Sequence, residues 1–234
     1  MNDLRISWQD LRQGKIIVVD KPLGWTSFDV VNKIRSVLRR RFDLKKIKVG
    51  HAGTLDPLAT GVLVIGIGPA TKKLGLLQAD DKTYEGLMRL GASTPSYDAE
   101  TEPERVFSLE GITEAQVLEV ARSFVGQIEQ YPPLYSAVKQ KGRKLYEWAR
   151  EGEKVTVKPR KVTVYSFDIQ NIMLPDIQFQ TTVSKGTYIR SLVHDFGKKL
   201  DNGAYLLALR RTRSGNYSID QAVDLKNWIK QNEI

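Results

Sequence analysis

IQFQTTVSKGTYIRSLVHDFGKKL, residues 177–200, changes its hydrophobic period halfway along. In its first part Ile177, Phe179, Thr181 and Val183 alternate with Gln178, Gln180, Thr182 and Ser184. A period of two is that of a half-buried strand. From residue 187 the apolar positions become Ile189, Leu192, Val193, Phe196 and Leu200, the stripe of an amphipathic helix. Asn202-Gly203 is placed to close that helix.

The same two periods recur outward in both directions, without regular alternation. KVTVYSFDI (161–169) and KTYEGLMRLG (82–91) read as strands, the latter with Tyr84, Gly86, Met88 and Leu90 on one side. ASTPSYDAETEPE (92–104) reads as an acidic loop. TEAQVLEVARSFVG (113–126) reads as a helix with Thr113 and Gln116 as a capping box and Gly126 at its end. Residues 16–19 and 62–67 are apolar strands. Between them Thr26 and Asp29 resemble a second capping box, ahead of a helix with Val30, Ile34, Val37 and Leu38 on one stripe. Strands and helices in this irregular order predict an α+β fold with a mixed, largely antiparallel central sheet flanked by helices.

The chain has 234 residues, no cysteine and only two histidines, His51 and His194. A disulfide framework and a zinc–cysteine site are excluded, and transition-metal chemistry is disfavoured. No apolar run reaches membrane-spanning length. The N-terminal stretch is mixed and charged, unlike a signal peptide. A cytoplasmic protein without membrane association is expected, with a monomer as the default.

Net charge is +9, and it is concentrated. Residues 33–48 hold eight basic residues against Asp43, and residues 131–161 hold nine against three acids. Tyr135, Tyr146 and Trp148 interleave the second cluster. Such polarisation suits a polyanion, and interleaved aromatics suit nucleobases.

HAGTLDPLATG, residues 51–61, places one carboxylate, Asp56, among turn residues. Pro57 biases Asp56 toward an extended backbone. The stretch is a turn, or a catalytic acid held on a rigid one; spacing alone leaves both readings. Arg190 is the second informative residue. It lies in the first turn of a helix, where the macrodipole disfavours a cation, and off the apolar stripe. Two readings stay open: a solvated arginine, or one with an anionic partner, which would be a phosphate, Asp56 or a nearby surface acid. A guanidinium on Asp56 would keep that carboxylate ionised and oriented, as a nucleophile requires.

Six ordered blocks carry a family resemblance. They are DKPLGWTS (20–27), VGHAGTLDPLATGVLVIGIG (49–68), KTYEG (82–86), PPLYSAVK (132–139), SKGTYIRSL (184–192) and LALRRTRSG (207–215). Together they resemble the TruB family of tRNA pseudouridine synthases, over nearly the whole chain. The resemblance implies the pseudouridine synthase fold and isomerisation of the T-loop uridine of tRNA, position 55 in tRNA numbering. No metal or organic cofactor is implied. By motif position Asp56 would be the nucleophile, attacking either base or ribose. Tyr84 would stack on the target base and assist proton removal, and Arg190 would pair with the aspartate. His51 would lie near the flipped nucleotides, Tyr188 and Leu209 would line the uridine pocket, and Lys21 would support the active-site loop. Residues 131–161 resemble an RNA-gripping insert in a single catalytic domain spanning 1–234. The C-terminal RNA-binding domain of many relatives is expected to be absent, with the last twenty or so residues forming one short helix.

Overall fold

The computed structural model describes residues 4–136, 138–140, 142–153 and 155–233. Two compact units are formed: one runs to Tyr84 and resumes at Arg210, and the other comprises Glu85–Leu209.

In the first unit the strand Ala59–Ile67 lies at the centre. On one side it pairs antiparallel with Lys15–Lys21, from Lys15 opposite Ile67 to Lys21 opposite Gly61. On the other it pairs antiparallel with Val49–Ala52. Lys15–Lys21 is in turn parallel to Val223–Asp224. Both faces of the central strand are covered. Leu63, Ile65 and Ile67 pack with Val30, Ile34 and Leu38 of the helix Ser27–Arg41 and with Trp228 of the helix Leu225–Asn232. Val62 and Val64 join Val18 and Ala52 on the opposite face. Burial on both faces explains why 62–67 reads as a continuous apolar run rather than an alternation. Thr26 and Asp29 form the expected capping box. The Trp8–Gln13 helix, capped by Ser7, and the strand Val49–Ala52 are too short to declare themselves by period.

Gly61 shows how tightly this unit is closed. Its φ is +101°, and a Cβ there would stand 2.2 Å from the Arg211 carbonyl oxygen. Gly61→Ala is therefore expected to cost about 2–3 kcal/mol, from backbone strain and overpacking together. A urea titration beside wild type checks this.

In the second unit Arg160–Met173 pairs antiparallel with both Asp176–Val183 and Gly126–Gln130. Asp176–Val183 buries Ile177, Phe179, Thr181 and Val183, the alternation read from the sequence. The helices Glu114–Ser123 and Ile189–Lys199 bury Val117 and Ala121, and Leu192, Val193 and Phe196. Phe124, Phe167, Phe179 and Phe196 form a chain of aromatic contacts, with centroids 5.2–6.2 Å apart. The parallel pairing of Lys15–Lys21 with Val223–Asp224, beside the antiparallel pairings above, agrees with the expected α+β class and a mixed, largely antiparallel sheet. The boundaries between the units fall within the strands Lys82–Leu90 and Ala204–Ser214. Among the described residues no helix is long and apolar enough to cross a membrane.

Candidate active site

The Asp56 loop is held by the segment that precedes the Ser27–Arg41 helix. The Ser27 hydroxyl donates to the Leu55 carbonyl (3.2 Å) and accepts from the Leu55 N–H (2.8 Å). The Gly24 N–H donates to the Pro57 carbonyl (2.9 Å), and the Ala59 N–H donates to that of Asp56 (3.0 Å). Lys21 is fully buried, and its ammonium donates to the carbonyls of Pro22 (2.9 Å), Trp25 (2.5 Å) and Pro57 (3.4 Å). Burial pushes Lys21 down to about 8, while the negative charge of Asp56 opposes that fall. At neutral pH the group is still mainly an ammonium. A carboxylate thus sits on a turn whose two neighbours are pinned, near a buried cation. The turn read from the sequence is there, and the backbone on both sides of Asp56 is held by hydrogen bonds.

Arg210 and Arg211 brace the same region. Arg210 makes a bidentate pair with Asp20 (2.6 and 3.2 Å), which also accepts the Gly61 N–H (3.1 Å). Arg211 is 1% exposed and donates to the carbonyls of Val62 (2.7 Å) and Gly53 (3.1 Å). His51 stands in Val49–Ala52, opposite Ile65. Its buried Nδ1 has no hydrogen-bond partner among the described residues. Burial, then the Arg211 charge, lowers its pKa, so the ring is neutral at pH 7. Tyr84 is buried at the end of the first of the two segments that make up the first unit.

In the second unit Tyr188 caps the Ile189–Lys199 helix. Its N–H donates to the Gln130 side chain (2.8 Å), and the Gln130 amide donates back to its carbonyl (3.0 Å). Its ring lies 5.6 Å from the Arg160 guanidinium. Arg190 is 4% exposed, not solvated. It donates to the carbonyls of Ser96 (3.0 Å) and Tyr135 (2.9 Å) and pairs with Asp98 (3.6 Å). Asp98 is itself buried, and it accepts from the Ser96 hydroxyl (2.6 Å) and the Glu100 N–H (3.0 Å). Leu209 is half-buried in Ala204–Ser214. The structure therefore groups Lys21, His51, Asp56 and Tyr84 in the first unit, and Tyr188, Arg190 and Leu209 in the second.

A family model described as TruB family pseudouridylate synthase (N terminal domain) matches residues 39–189. The chain belongs to the TruB family. A second model, tRNA pseudouridylate synthase B C-terminal domain, matches residues 190–232 of this TruB chain. The tRNA pseudouridine synthase B of Flavobacterium johnsoniae is 48% identical over 218 residues, covering 93% of this chain and 95% of the relative. That of Parabacteroides distasonis is 45% identical over 228 residues, covering 96% and 97%. Among solved structures, a chain of a Cbf5-Nop10-Gar1 complex superposes with TM-score 0.71 at 33% identity, over 95% of this chain and 55% of that one. A chain of an H/ACA RNP bound to a substrate RNA containing 2'-deoxyuridine gives 0.68 at 30%, over 95% and 54%. The TruB chain thus spans about half the length of those two solved chains.

Several site-building residues of this TruB chain escape a reading of its sequence. Asp98 lies in a stretch that reads only as an acidic loop. In it Thr94, Ser96 and Asp98 are buried, and Tyr97 between them takes φ +64°. Positive φ at a bulky residue is uncommon, and here it turns Asp98 inward. Gln130 and Arg211 carry no periodic signal, since each is a buried polar group defined by a distant partner. The basic segments also serve the fold. Arg41 donates to the buried Asn232 (2.6 Å), and Arg40 pairs with Glu233 (3.1 Å). Arg143 stacks on Trp148 (4.5 Å) and pairs with Glu151 (2.5 Å). Lys141 and Lys154 of the second segment lie outside the described residues.

Behind Tyr97 is His194, whose ring stacks on the tyrosine at 3.7 Å. Burial, then the Lys198 ammonium, pushes this imidazole down to about 4. A folded value below the ordinary 6.5 means that the native state resists the proton. The associated stability is fully present above about pH 6.5 and is lost as pH falls toward 4. His194→Phe keeps a ring on Tyr97 and removes this titration. Melting temperature from pH 7 to 4.5 is expected to fall less steeply for the variant than for wild type.

Proposed function

We propose that the protein isomerises the T-loop uridine of tRNA, at position 55, to pseudouridine. The N1–C1' glycosidic bond breaks, the base turns, and C5 bonds to C1'. The proton lost from C5 is balanced by the one gained at N1, so no atom is added or removed. Chemistry on a stacked base requires its extrusion into a pocket. Asp56 acts as the nucleophile at base or ribose, on a turn pinned at Leu55 and Pro57. Arg190 orients it. Tyr84 stacks on the base and assists loss of the C5 proton. Tyr188 and Leu209 wall the pocket, His51 contacts the flipped nucleotides, and Lys21 supports the Asp56 loop. The basic residues of 33–48 and 131–161 hold phosphates, which makes binding salt-dependent. Residues 1–234 work as one catalytic unit, and a cytoplasmic monomer is sufficient. No metal or organic cofactor takes part.

The observation that carries this reading is 48% identity to a named tRNA pseudouridine synthase B along nearly the whole chain, with Asp56 in its pinned loop. The test is nucleotide-resolution mapping of pseudouridine in an unmodified tRNA transcript. One new pseudouridine in the T loop is expected. Binding of the transcript with every uridine unchanged overturns the proposal.

A further inference from the structure

The segment that pins the Asp56 loop also exposes two large apolar side chains. Leu23 is 64% exposed and Phe28 60%. Leu23 immediately precedes Gly24, whose N–H bonds to Pro57; Phe28 immediately follows Ser27, whose hydroxyl bonds to Leu55 in both directions. Leu55 and Pro57 flank Asp56 in the chain. Each exposed apolar residue is thus one position from a hydrogen bond to a neighbour of the carboxylate.

Neither side chain belongs to the apolar clusters that cover the two faces of the central strand. The core role in this segment falls to Trp25, which packs against the main cluster of the first unit, and to the buried Lys21 and Ser27. The backbone between them is fixed by the Thr26–Asp29 capping box. Two apolar groups are therefore displayed on a rigid support, so little ordering entropy opposes their use. The support lies at the start of the helix that carries Lys33, Arg35, Arg39 and Arg40. An apolar display beside a basic helix and a reactive carboxylate fits a single-stranded polyanion with unstacked bases.

We propose that Leu23 and Phe28 form an apolar rim that takes the unpaired bases next to the target uridine. The inference rests on the RNA reading above. It adds a contact by which splayed loop nucleotides are held while one of them reacts.

The test uses the full chain and a T-arm RNA hairpin. Leu23→Ser and Phe28→Ser remove the apolar surface at exposed positions, so their melting temperatures should stay close to that of wild type. Each is expected to raise the Kd for the hairpin about tenfold, the scale of one lost base contact. The loss should fall in KM more than in kcat, with the salt slope of binding unchanged. Phe28→Tyr should restore affinity. On a hairpin made abasic at the loop positions flanking the target, the difference between wild type and the serine variants should vanish. Equal affinity of wild type and variants for the intact hairpin overturns the rim, as does a loss that persists on the abasic hairpin. A wild type that binds the hairpin but converts no uridine overturns the proposed reaction instead, and the binding comparison still decides the rim.

Discussion

Asp56→Asn should bind tRNA nearly as wild type does and form pseudouridine at least about 10⁴-fold more slowly, the scale seen when a nucleophile is removed. The replacement keeps the shape and the acceptor oxygen but not the charge. The loop itself should survive. Its support comes from the backbone of Leu55, Asp56 and Pro57 and from Lys21, Gly24 and Ser27, none of which is altered. Single-turnover rates and binding measured on the same transcript separate the two effects. Retained turnover would remove Asp56 from the role of nucleophile. Lost binding would make it an affinity residue.

Arg190→Met should be the most destabilising single change in the second unit. It strips a buried carboxylate, Asp98, of its guanidinium, and it leaves the Ser96 and Tyr135 carbonyls without those donors. Breaking a buried ion pair on one side costs about 3–5 kcal/mol. For a chain of this size that corresponds to a fall of roughly 6–20 °C in melting temperature. Adding Asp98→Asn should recover part of the stability, because the uncompensated charge is then gone. Calorimetry of the two single variants and the double reads the coupling directly. Activity should not return in the double variant, since the guanidinium that orients Asp56 in the proposed mechanism is still missing.

The legible parts of this molecule are those governed by local rules. The two capping boxes, the alternation in 177–183 and the stripe of Ile189, Leu192, Val193 and Phe196 follow from residues close in the chain and stand as read, while Leu200, also read in that stripe, caps the helix and is only half-buried. Arg190 was conspicuous because a cation in a first turn opposes the helix dipole. Its buried partner Asp98 was not, because it is one acid among others in an acidic loop. The left-handed Tyr97, the Ser96 hydroxyl, the Glu100 N–H and Arg190 hold that carboxylate in the interior. The strand Val49–Ala52 was missed because four residues are too few to show a period. Lys21 shows the same limit from the other side. Lys21 ends the strand Lys15–Lys21, and the three carbonyls that converge on its buried ammonium carry no local signal in the sequence.

The first unit is discontinuous in the chain, and this sets an order on synthesis. Residues 85–209 form an uninterrupted unit, complete in the nascent chain before the first unit is, and compact units tend to fold in the order of synthesis. The unit bearing Asp56 has to wait. The Lys15–Lys21 strand receives its parallel neighbour Val223–Asp224, and its core receives the fully buried Trp228, only after residues 85–209 have been translated. Until then the apolar run 62–67 is without its final cover. A nascent chain stalled before residue 223 should present that run to chaperones, although residues 85–209 are all translated.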